Sequence, residues 1–97
     1  MKKSRVTAAL VQEVIDEFGE TPRNLAQGMC LSFAARLAER VPESQFLEYS
    51  NFLEGGGPSG PWHCFVKVGR KYYDAEAPNG VKDWRDLPIF QRARLEQ

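Results

Sequence analysis

Cys30 and His63 are the residues of this chain best suited to nucleophilic chemistry. Cys30 follows Gln27-Gly28-Met29 where a run of small and apolar residues begins, at the start of a predicted helix. The positive end of a helix dipole favours a thiolate there. His63, the sole histidine, opens a predicted apolar strand that can hold an imidazole rigidly beside the sulfur. The pair suggests a cysteine nucleophile and its base. A thiolate attacks a carbonyl carbon, and an adjacent imidazolium both lowers the thiol pKa and later protonates the leaving group. The tetrahedral oxyanion then needs donors. The Cys30 backbone N–H is one. A side-chain amide from Gln27 or Asn24, three and six residues upstream, is the other.

A third group must hold the imidazole. Segments 62–68 and 71–75 flank Gly69-Arg70, a glycine-first pair suited to a two-residue hairpin turn. Pairing Val68 with Lys71 sets Phe65 opposite Asp74 and His63 opposite Glu76. Side chains alternate, so His63, Phe65, Tyr72, Asp74 and Glu76 share one face. Cys64, Val66, Val68, Tyr73 and Ala75 share the other, which reads as core. Asp74 is the preferred orienter, because its diagonal position leaves room for a hydrogen bond and its side chain is short. Glu76 is the alternative.

The elements that must position these groups follow from periodicity. Leu10, Val11, Val14, Ile15 and Phe18 form one helical stripe within Thr7 to Phe18, and Gly19 supplies a stop. Glu20 to Gly28 reads as a loop. A second helix begins near Gly28 or Met29 and runs to Val41, with Leu31, Phe33, Ala34, Ala35, Leu37 and Ala38 predicting a centrally packed element that Pro42 ends. Gln45 to Leu53 reads as a strand. Glu54 to Pro61, with Gly55-Gly56-Gly57, reads as a mobile loop, serving as a lid or as a plain surface connection. After Ala77-Pro78-Asn79-Gly80, a short irregular or helical cap sets Trp84, Leu87 and Phe90 over the core, followed by a charged tail.

Composition narrows the function classes. The 97 residues predict a single domain spanning 1–97 with a modest core. Thirteen Lys and Arg balance thirteen Asp and Glu, so no net field draws the chain to nucleic acid or anionic lipid. The N-terminal apolar stretch is broken by Gln12, Glu13, Asp16 and Glu17, which argues against a signal peptide or membrane span and for a cytoplasmic protein. In that setting Cys30 and Cys64 are thiols rather than a disulfide. With one histidine they fall short of a four-ligand zinc set, so neither metal nor cofactor is expected.

The segments Gly28-Met29-Cys30-Leu31-Ser32-Phe33-Ala34, Trp62-His63-Cys64-Phe65-Val66 and Tyr72-Tyr73-Asp74-Ala75-Glu76 resemble, in their cysteine–histidine–acid order, papain-like cysteine hydrolases. The likeness is to compact bacterial and phage forms, among them cell-wall peptidases, amidases and transglutaminase-like domains, and covers about half the chain, from Gln27 to Glu76. It implies an α+β fold with N-terminal helices, the cysteine-bearing helix packing on a small antiparallel sheet. It also implies hydrolysis or acyl transfer at an amide, isopeptide or thioester bond through Cys30, His63 and Asp74. The substrate would be a peptide, an isopeptide or an acyl carrier. The rival expectation is an inactive scaffold of the same shape that binds or inhibits a protein partner, of the kind a phage encodes.

Overall fold

The computed structural model describes residues 8–49 and 63–95, with side chains through residue 92. It is a small α+β arrangement built on a four-stranded antiparallel sheet. Helix α1 (Ala8–Phe18) buries Val11, Val14 and Ile15, three members of the predicted stripe. Gly19 ends it at φ 66°, its N–H reaching the Ile15 and Asp16 carbonyls, a left-handed position that suits glycine.

The stretch expected to be a loop contains a second helix, α2 (Pro22–Gln27). Two local devices form it despite its lack of apolar periodicity. The Thr21 side chain accepts from the Asn24 N–H at 3.2 Å, and Pro22 occupies the first helical turn, where its missing N–H costs nothing. The short helix plugs Leu25 and Ala26 into the core.

Helix α3 (Cys30–Arg40) buries Cys30, Phe33, Ala34 and Leu37, spaced at three, one and three. It is therefore buried along one stripe rather than centrally packed as its small and apolar residues predict, and Leu31 is 52% exposed. The outer side carries Arg36 and Arg40, which reach Glu17 and Glu13 of α1 at 2.7 and 2.8 Å. Such exposed pairs set the helix orientation more than the stability.

Strands β1 (Gln45–Tyr49), β2 (His63–Val68), β3 (Lys71–Asp74) and β4 (Ala77–Val81) pair in chain order. The hairpin register is the expected one, with Val68 opposite Lys71 and Val66 opposite Tyr73. Gly69 sits at φ 62° in its turn. Ala77 to Val81, where the sequence offered no strand and the cap was expected to begin at Val81, is a fourth strand. Its place at the sheet edge tolerates Pro78, which has no N–H to donate. The ladder shifts between Tyr72 and Asp74, leaving Ala75-Glu76 as the β3–β4 turn.

Both faces of the sheet are covered. Cys64, Val66, Tyr73 and Ala75 meet α1, α2 and α3 in the larger core. The opposite face carries a second core in which Phe65 meets Leu87, Ile89 and Phe90, with Tyr49, Tyr72 and Trp84 packed around them. Trp84–Asp86 forms a single 3-10 turn and α4 (Pro88–Leu95) extends through the residues read as a charged tail. The expected continuation of the first strand over 50–53, the 54–61 loop and Trp62 lie outside the described residues. Among the described residues, no helix is long and apolar enough to cross a membrane.

Candidate active site

His63 is the first described residue of β2 and is completely buried. Its ring lies 5.8 Å from Phe65 in a stacked arrangement and 5.6 Å from the edge-on Phe90, so aromatic walls fix it on two sides. The imidazole Nε2 is 2.8 Å from Asp74 Oδ2. Burying this pair is tolerable because each polar group finds the other.

Asp74, 2% exposed, is itself held by its own turn. Its second oxygen, Oδ1, accepts the Glu76 backbone N–H at 2.9 Å. One carboxylate thus closes the β3–β4 turn with one oxygen and orients the histidine with the other. Glu76, the alternative orienter, is committed elsewhere: both its oxygens accept from Arg92 of α4, at 3.0 and 2.9 Å. Sequence reasoning missed Arg92, which lies sixteen residues away with no local pattern linking it to the hairpin.

With Nε2–H donating to Asp74, the other ring nitrogen, Nδ1, is left buried without a conventional hydrogen-bond partner. The Cys30 sulfur interacts with this ring from the start of α3. Burial alone would raise the Cys30 pKa, but the interaction with His63 and the Cys64 backbone outweighs it and the thiol is held below its ordinary value. Burial would likewise depress His63. Asp74 first, then Cys30, overcomes that and raises the imidazole to about 9. Each shift favours the charged form of its own group, and together they favour a thiolate–imidazolium pair.

The N-terminus of α3 has no side-chain cap; the Phe33 N–H closes the first turn onto the Met29 carbonyl. The Cys30 N–H precedes that bond and has no intrahelical acceptor, as an oxyanion donor requires. Beside the helix start an open pocket of about 430 Å³ is lined by Glu20, Asn24, Gln27, Gly28 and Met29. Both candidate amides border it, but they differ. Asn24 Nδ2 donates to Glu20 Oε1 at 2.9 Å, whereas the exposed Gln27 amide is spent on no hydrogen bond among the described residues. No group of three or more potential metal ligands converges among the described residues.

The structure therefore brings Cys30, His63 and Asp74 together, places Gln27 and Asn24 in the pocket next to the start of α3, and turns Glu76 away. No protein-family model matches the chain, and no curated protein or solved structure matches it either.

Proposed function

We propose that the chain is a cysteine hydrolase or acyltransferase acting on an amide, isopeptide or thioester carbonyl, with the papain-like order of Cys30, His63 and Asp74. The observation that carries this reading is the buried His63–Asp74 pair at 2.8 Å, aimed at a cysteine whose thiol is held below its ordinary pKa. Desolvated side chains tuned toward ionisation in this way suit a nucleophile and its acid better than they suit packing.

In this mechanism the Cys30 thiolate adds to the carbonyl carbon and the oxyanion meets the Cys30 N–H and the Gln27 amide. His63, already protonated, delivers its proton to the departing amine or thiol, leaving an acyl-enzyme. Neutral His63 then takes a proton from water or an acceptor amine, which releases the acyl group and regenerates the thiolate. Asp74 holds the imidazole and stabilises its charge throughout. The substrate is a peptide, isopeptide or acyl carrier, and a reducing cytoplasmic setting keeps the thiol available.

The test is the pH dependence of Cys30 alkylation by iodoacetamide, followed by peptide mapping, in wild type and His63→Ala, with a panel of amide and thioester substrates assayed beside Cys30→Ala. Labelling well below pH 8.5, the ordinary thiol pKa being about that value, with slowing in His63→Ala and turnover lost in Cys30→Ala, supports the reading. A second reading, a protein-binding or inhibitory scaffold, is favoured by one observation: Cys30 is only 2% exposed. Labelling that needs denaturant, with no turnover, selects it.

A further inference from the structure

Cys64 is a buried thiol with no part in the proposed acyl transfer. It follows His63 on β2 but points to the opposite face of the sheet, into the same core cluster as Cys30. The starts of α3 and β2 pack together there, both thiols are free and buried in that one cluster, and each influences the other's ionisation. Burial first, and then the negative charge of Cys30, push the Cys64 thiol up to about 12. Cys64 is thus held neutral while Cys30 is a thiolate.

Oxidation of Cys30 removes the part of that restraint that comes from its charge. A sulfenic acid is uncharged, and its sulfur is an electrophile that a neighbouring thiol can attack. We propose that Cys64 is the resolving thiol of Cys30, closing a reversible Cys30–Cys64 disulfide when a hydroperoxide oxidises the candidate nucleophile. The inference rests on reading Cys30 as an activated thiolate. In the first step the Cys30 thiolate attacks the peroxide's terminal oxygen. The O–O bond breaks, an S–O bond forms, and the departing alkoxide or hydroxide takes a proton from the His63 imidazolium. Sulfur loses two electrons and the peroxide gains them. In the second step Cys64 sulfur attacks Cys30 sulfur, the S–O bond breaks, and hydroxide leaves with the Cys64 proton as water. A dithiol later reduces the disulfide by exchange and is itself oxidised.

The test treats the full chain, as wild type and Cys64→Ala, with hydrogen peroxide. Wild type is expected to lose two hydrogens in intact mass, to yield a Cys30–Cys64 cross-linked peptide on non-reducing mapping, and to recover Cys30 alkylation with dithiothreitol. Cys64→Ala under the same exposure is expected to carry Cys30 on to sulfinic acid, with a loss of alkylation that dithiothreitol does not restore. Absence of the cross-linked peptide from wild type overturns the proposal, as does equal recovery in the two proteins. Should Cys64→Ala fail to fold, the wild-type map still decides. Alkylation before oxidation separates the two readings: fast labelling at low pH without a cross-link removes the resolving role alone, and slow labelling removes both.

Discussion

Arg92 on α4 grips Glu76 with two guanidinium nitrogens, and the backbone N–H of that same Glu76 holds Asp74. The C-terminal helix is thereby tied to the carboxylate that orients His63. Charge-assisted bonds of this kind, partly shielded from water, are worth about 1–3 kcal/mol. Arg92→Ala is expected to destabilise the fold by that order and to slow Cys30 alkylation near pH 6 severalfold, because the turn carrying Asp74 loosens. Denaturant unfolding checks the first effect and labelling kinetics the second; Arg92→Lys is expected to restore labelling only in part, since a single ammonium cannot make the paired contact.

The pH dependence of stability follows from His63. Its pKa rises from 6.5 to about 9 on folding, so its protonation stabilises the folded chain. That contribution is complete below 6.5 and is lost as pH rises through about 9. Cys30 has the opposite sign: its lowered pKa contributes above the ordinary thiol range and is lost as pH falls through the folded value. Asp74→Asn removes the charge facing the imidazolium while keeping the shape. The melting temperature gap between wild type and Asp74→Asn is expected to be widest at or below pH 6.5 and to narrow as pH approaches 9; a pH-independent gap would count against a charged His63.

The two amides at the pocket are expected to behave differently. Loss of one oxyanion donor lowers turnover by about 10²-fold. Gln27→Ala is expected to show a loss of that order in kcat with little change in melting temperature, because its amide is exposed and uncommitted. Asn24→Ala is expected to lower stability instead, since its side chain donates from α2 to Glu20, just before the helix begins. Steady-state kinetics on the substrate found for wild type, paired with thermal melts, separates the two.

Two glycines with similar backbone angles provide a check on the fold. Gly80 lies at φ 78°, and a Cβ there would stand 2.7 Å from the buried Tyr73 ring. Gly69 lies at φ 62° with nothing within 4 Å. Gly69→Ala is expected to cost about 1–2 kcal/mol, the backbone penalty alone. Gly80→Ala adds an overlap in a packed core, for a total of about 2–5 kcal/mol. Urea melts of the two variants give the comparison.

Much of the site was legible because it depends on short-range rules. The Gly69-Arg70 turn fixes the hairpin, strand alternation then sets His63 and Asp74 on one face, and the small-residue run beginning at Cys30 marks the helix start. What the sequence hid depends on partners far along the chain. Ala77-Pro78-Asn79-Gly80 has turn composition and becomes a strand only because β3 offers an edge to pair with. Asp74 was legible as the orienter, but the engagement of Glu76 by Arg92 was not, since no periodicity connects the two. α2 lies between these cases: Thr21-Pro22 is a start signal, but six residues are too few for an apolar repeat to show. The second core was legible only in part: Trp84, Leu87 and Phe90 read as a cover, but no local pattern pairs them with Phe65 and Tyr72 on the His63 face.

His63 and Asp74 lie on the face of the sheet closed by α4, whereas Cys30 belongs to the helical layer on the other face. The lowering of the Cys30 pKa by His63 consequently depends on both layers being docked on the sheet. Detachment of α4 is expected to release His63 and return the Cys30 thiol toward its ordinary pKa. Under the proposed function, docking of that helix is the step that arms the nucleophile.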